Sequence, residues 1–189
     1  VPYLIEALES KDIDVKNSIA KTLVLLGKKA VPNLIEELKK NNKNVIIILS
    51  QIGREAVFNL MKILDEEEIS QEIKKSAVWI LGRIGDAWAV QGLIRVLDIE
   101  VLEIRKLAIE ALGRIKNKVA VPGLINALKD KEEIIRQLAA KSLEMIGEAA
   151  VTPLIDALKD EEEQVRNLIK EILVNIGKEG VLELIKELK

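Results

Sequence analysis

The string AVPGLINALKD, which begins at Ala120, is written again with substitutions as AVPNLIEELKK from Ala30, AVFNLMKILDE from Ala56, AVQGLIRVLDI from Ala89 and AVTPLIDALKD from Ala150. Truncated forms begin at Val1 and Val181. The first valines of the seven copies stand at 1, 31, 57, 90, 121, 151 and 181, so the spacings are 30, 26, 33, 31, 30 and 30 residues. A unit this short cannot enclose a core, and it becomes stable only by stacking on its neighbours. The repeat therefore constrains the chain more tightly than any other feature.

Within each copy the apolar residues fall at unit positions one, four, five and eight, as in Val121, Leu124, Ile125 and Leu128. That spacing is the stripe of a helix buried on one side, here named helix B. A second and longer stripe follows, with Ile104, Leu107, Ala108, Leu112 and Ile115 in one unit and Ile135, Leu138, Ala139, Leu143 and Ile146 in the next. This is helix A. The prediction is an all-α chain, an α-solenoid or superhelix of about six two-helix repeats. It comprises about thirteen helices that begin and end with a helix B, in a single domain spanning 1–189.

Turn residues mark the same boundaries. Gly27, Gly53, Gly85, Gly147 and Gly177 each follow a helix A, where a left-handed C-terminal residue is expected, and Lys116 is the one departure. Asp65, Asp98, Asp130 and Asp160 lie between a helix B and the next helix A, where a short carboxylate is expected to cap the N-terminus. Pro2, Pro32, Pro122 and Pro153 fall in the first turn of helix B, where a missing N–H costs little.

These strings, AVxxLIxxLxD followed by a basic residue, a small residue and LGxIG, resemble HEAT repeats. They are most similar to the short HEAT-like repeats of the phycobilisome lyase type. The resemblance covers the whole chain and implies a solenoid, but not one task, because such folds carry many functions. It also implies an ion-pair ladder between the turn aspartate and a basic residue early in helix A, found at Lys16, Lys74, Arg105, Arg136 and Arg166. On that basis Asp130 is expected to pair with Arg136, and Asp160 with Arg166.

Composition narrows the chemistry. The chain has no Cys and no His, which removes thiolate and imidazole ligands, a thiol nucleophile and the commonest general base. No cofactor or metal site is expected, and the carboxylate runs lack the DxDxDG spacing of a calcium loop. Acids number 31 against 29 bases, a balance unsuited to neutralising many phosphates, so nucleic acid is not the expected partner. No apolar run approaches the roughly 18 residues that span a bilayer. The expected location is cytoplasmic.

Two places depart from the repeat rule. The second unit is shortened, and its helix A, NNKNVIIILSQIG, lacks both the basic residue and most of a first turn. The third is lengthened, with an acidic entry at 65–68 and an extra residue before Val90. Alignment of helix A on its closing residue places Lys21, Ile47, Trp79, Glu110, Lys141 and Glu171 in one column. Charge at four members turns that column to water, so Leu25, Ile47 and Trp79 form either an outer apolar patch or a local repacking around the short unit. Trp88, next to Gln91 and Arg95, has the make-up of an interface hot spot, or else covers the extra residue in its own loop.

The expected function is a non-catalytic scaffold or adaptor whose concave face grips a protein partner through Asn33, Glu36, Asn59, Lys62, Trp88, Gln91, Arg95, Asn126 and Lys129. These positions change charge from unit to unit while the buried columns do not. Two alternatives come from the family: a lyase-type enzyme, or an assembly factor or chaperone of the phycobilisome lyase group, and a nucleic-acid-binding HEAT-like protein. HEAT-like hydroxylases that hold iron through His-Glu motifs find no match without His. The lyase resemblance offers no catalytic residue to carry over. For a nucleic-acid groove, the inner column Glu6, Glu36, Lys62, Arg95, Asn126, Asp156 and Lys186 balances three acids against three bases. At the N-terminus the stripe Val1, Leu4, Ile5 and Leu8 has no helix A before it. The expectation is a chain truncated from a longer solenoid, or an end covered by a partner or by a second copy of itself.

Overall fold

The computed structural model describes residues 1–159 and 162–177. Every regular element among them is helical. The chain divides into two compact units, Val1–Ala89 and Val90–Lys189. The first holds α1 (Pro2–Glu6), α2 (Ile13–Leu26), α3 (Val31–Lys39), α4 (Asn44–Ile52), α5 (Arg54–Asp65) and α6 (Gln71–Ile84). The second holds α7 (Val90–Arg95), α8 (Leu102–Ile115), α9 (Val121–Ala127), α10 (Glu133–Ile146), α11 (Val151–Ala157) and α12 (Glu163–Ile176). Twelve α-helices are therefore described against the thirteen expected, in the alternating order B, A. The thirteenth, from Val181, lies outside the described residues.

Each unit is built in two layers. In the first, α2 packs on α4 and α4 on α6, while α3 packs on α5. In the second, α8 packs on α10 and α10 on α12, while α9 packs on α11. The predicted stripes supply the core between the layers: Val121, Leu124 and Leu128 from helix B and Ile135, Ala139 and Leu143 from helix A are fully buried. Removing such side chains from water is the main favourable term, about 1.5–3 kcal/mol for each large aliphatic residue. At the N-terminus, Ile5 and Leu8 are buried, and α1 and the turn after it pack on α2.

Helix α4 has nine residues where the other A helices have fourteen. Asn41 takes a positive φ of 62° after α3, and the Asn42 carboxamide accepts the Asn44 N–H at 3.1 Å. This turn takes the place of the missing first turn of the shortened unit.

The links from helix A to helix B correct one expectation. Only Gly85 and Lys116 adopt the left-handed helical conformation. The other links, as at Gly147 with φ 74° and ψ −138°, use a positive-φ extended conformation that L side chains avoid. Link length decides which is used. Val90 stands five positions after Gly85 and Val121 five after Lys116, whereas Val151 stands four after Gly147. The longer link turns left-handed and then lets an Asx side chain cap the next turn: Asp86 accepts the Trp88 N–H at 2.8 Å, and Asn117 accepts the Val119 N–H at 2.9 Å. Lysine is tolerated at 116 because that link does not need the glycine-only conformation.

Candidate protein-interaction surface

In a helix B with positions one, four, five and eight buried, position six points away from the core. Glu6, Glu36, Lys62, Arg95, Asn126 and Asp156 are all exposed there. At position three, Asn33 and Asn59 are half-buried, and Gln91 and Lys129 are exposed at positions two and nine. The nine residues singled out from sequence fall into separate groups, which the structure places as follows.

Asn33 and Glu36 meet Glu6, Glu9, Glu37 and Lys40 in a groove between α1 and α3. Four carboxylates face one ammonium. Lys40 lies 2.9 Å from Glu37, and Asn42 donates to the same carboxylate at 3.1 Å. Those two hydrogen bonds hold Glu37 below the usual carboxylate range, and the Glu37 carboxylate in turn raises Lys40. On the far side of α3, Lys39 reaches Glu66 at 2.8 Å, which raises Lys39 and ties α3 to the end of α5.

Lys62 belongs to a second group, with residues that sequence reasoning missed. The Phe58 ring is 67% exposed, and the Lys62 ammonium sits 4.6 Å from its centroid. One turn earlier on the same helix, the Arg54 guanidinium lies 5.5 Å from the Trp88 ring and its Nε is 3.4 Å from Asp86. Trp88 is 70% exposed. A signal for Phe58 was present in the sequence: it is the one aromatic at unit position two, where the other copies carry Pro2, Pro32, Gln91, Pro122, Thr152 and Leu182. Gln91 and Arg95 stand on α7, in the other unit. Asn126 and Lys129 line a shallow groove with Leu97, Asp98, Gly123 and Asp130.

On the A side, Leu25 is 86% exposed and Ile47 is exposed. Trp79 is half-buried, with the Arg83 guanidinium 5.4 Å from its ring centroid. The helix-A column is thus open at Leu25 and Ile47 and partly closed at Trp79.

The rung at Asp130 runs between repeats, which corrects the pairing expected for it. Arg136 donates to the backbone carbonyls of Asp130 and Lys131, at 2.8 and 3.1 Å, and not to the Asp130 carboxylate. That carboxylate accepts Arg105 NH2 of the preceding repeat at 3.2 Å, and Arg105 NH1 also holds the carbonyls of Ile99 and Glu100. Arg105 Nε is 3.1 Å from Oδ2, a close ionic contact whose N–H is too poorly aligned to count as a hydrogen bond. The Asp160–Arg166 pair lies outside the described residues.

Capping also differs from expectation. Asp65 is the last residue of α5, Asp98 lies in the turn after α7, and Asp130 accepts the Glu132 N–H at 2.9 Å within the turn. The A helices after them start later, at Gln71, Leu102 and Glu133. Asp12 is the one aspartate that caps a helix A among the described residues, accepting the N–H of Asp14 and Val15.

Among the described residues no cluster of His, Cys, Asp or Glu could hold a metal ion, and no helix is long and apolar enough to cross a membrane. Paired helices in two layers, joined by interrepeat ion pairs and glycine links, define an α-solenoid repeat protein. Residues 59–144, 100–174 and 121–188 match the family model for HEAT repeats. The chain belongs to the HEAT-repeat family.

No curated protein sequence matches it. An engineered protein shares the fold at 19% identity and a TM-score of 0.52, and the chain, 97% covered, spans 60% of that protein's length. The complex of CpcE and CpcF of phycocyanin lyase from Nostoc sp. PCC7120 superposes at 21% identity and a TM-score of 0.54, covering 90% of this chain and 74% of that one. Computationally designed armadillo repeat proteins for modular peptide recognition superpose at 19% identity and a TM-score of 0.52, covering 92% and 98%.

Proposed function

We propose that this chain is a non-catalytic scaffold or adaptor that binds a protein partner through the exposed faces of its B helices. The observation that carries the reading is position six. It is solvent-facing in every described helix B, and its residue changes from Glu to Lys, Arg, Asn and Asp while positions one, four and eight stay Val, Leu and Leu. Constant packing below a variable charged surface is what a recognition scaffold requires. Designed repeat proteins of similar fold were built for modular peptide recognition, and CpcE and CpcF form a complex with each other. Both support an interaction role for the fold. The reading treats the chain as one repeat domain in the cytoplasm and assigns it no chemistry and no nucleic-acid ligand.

Photo-crosslinking tests the proposal. A crosslinking residue placed at Glu36, Gln91 or Asn126 is expected to capture the same protein partner in the native cell. One placed at Lys21 or Lys141, exposed on the helix-A side, is expected to capture none. Capture from the helix-A positions alone would overturn the assignment of the binding face.

A further inference from the structure

Resting on the scaffold reading, we infer that the row Trp88, Arg54, Phe58 and Lys62 is a docking site for an extended acidic peptide segment of the form acidic-x-apolar-x-acidic. The row lies entirely within the unit Val1–Ala89, and three of its members share one face of α5 at four-residue intervals.

Helical side chains lean toward the N-terminus, so Lys62 reaches back over Phe58. The 4.6 Å separation between ammonium and ring shows that it does. Arg54 is oriented from the other side. Asp86 engages its Nε while also accepting the Trp88 N–H, which fixes the tryptophan and the guanidinium against each other. Two large rings are therefore held in water, each with a cation over a face and with most of its surface uncovered. Exposed cation–π contacts of this kind are worth about 0.5–1 kcal/mol each. Their consequence here is preorganisation, because the rings and cations need little further ordering when a partner arrives.

Charge and spacing select that partner. Arg54 and Lys62 are two turns apart, about 12 Å along the helix axis, with Phe58 midway. In an extended chain, residues i, i+2 and i+4 share a face, and the outer two are about 13 Å apart. Carboxylates at i and i+4 would meet the two cations, and an apolar side chain at i+2 would lie on Phe58. Asp86 stands at the Trp88 end of the row and Asp65 at the last turn of α5, so acids flank the two cations. A polyanion needs a continuous basic track and finds none here.

The test is fluorescence anisotropy of a labelled Ser-Glu-Ser-Leu-Ser-Glu-Ser peptide titrated with the full chain. Saturable binding is expected, weakened at least tenfold by Phe58→Ser, by Lys62→Glu and by high salt. A peptide with lysine in place of glutamate, and one with the two glutamates adjacent, are expected to bind at least tenfold more weakly. Phe58 and Lys62 are exposed, so both variants are expected to keep the wild-type melting curve, which separates lost binding from lost folding. The inference is overturned by no binding of the glutamate peptide, by equal binding of the lysine peptide, by insensitivity to both substitutions, or by tighter binding of an oligothymidylate. Crosslinking from Glu36 and Asn126 that still captures a partner while the glutamate peptide fails would sink this inference and leave the scaffold reading standing.

Discussion

Replacing Gly113 by alanine tests how closely the A helices approach in the second unit. Gly113 lies inside α8, where alanine is ordinarily favoured over glycine by about 0.8–1.0 kcal/mol. The structure predicts the opposite sign. A Cβ at this position would stand 2.6 Å from Ser142 Oγ, 2.8 Å from its Cβ and 3.0 Å from its Cα. The Cα is backbone and cannot rotate aside, so α8 and α10 must separate, an overpacking cost of about 1–3 kcal/mol. The buried hydrogen bond from Ser142 Oγ to the Ile109 carbonyl, 3.0 Å long, would be strained or lost, a further 0.5–1.5 kcal/mol or about that. Subtracting the helix gain leaves a net destabilisation of about 0.5–3.5 kcal/mol. Urea unfolding followed by circular dichroism measures it, and adding Ser142→Gly should recover part of the loss by removing the two nearest atoms. A midpoint equal to or above that of the unmodified chain would refute the reasoning.

Arg105→Ala is expected to destabilise the chain toward the lower end of about 3–5 kcal/mol, because it strands a part-exposed Asp130 carboxylate and two backbone carbonyls. A change below about 1 kcal/mol in the same urea experiment would show that the rung contributes little. Both Gly85 and Gly147 have open space for a Cβ, so alanine at either acts through backbone conformation alone. Gly147→Ala should lower the melting temperature more than Gly85→Ala, and Lys116→Gly should raise it. Leu124→Ala, at a fully buried position, is expected to cost about 2–5 kcal/mol. Trp79→Glu, at a half-buried position, should cost less, and the reverse order of melting curves would place Trp79 in the core.

How much was legible in the sequence can be followed along α9 and α10. The valine and leucine positions of helix B and the isoleucine, alanine and leucine positions of helix A were fixed by periodicity. A residue repeated every 3.6 positions in six copies has only one way to face a common core, which is why the burial of Leu124, Ile135 and Leu143 agrees with the pattern. The short α4 could be read for the same reason: a missing turn leaves a gap in a regular register. Phe58 could have been found as an aromatic outside the stripe.

The pairings were not legible, because they depend on which repeat lies against which. Arg105 and Arg136 occupy the same position in their own repeats, and sequence alone offers each the nearest aspartate. Only stacking brings the Asp130 carboxylate to Arg105 of the preceding repeat, while Arg136 donates to the carbonyls of Asp130 and Lys131. The approach of Arg54 to Trp88, or of Gly113 to Ser142, likewise joins residues about 30 positions apart across a repeat boundary. The sequence by itself determined the helices, their buried faces and their repeat. Tertiary structure decided the rungs between repeats and the approach of Trp88 to Arg54, because those contacts arise from the offset between stacked copies, which no single copy encodes.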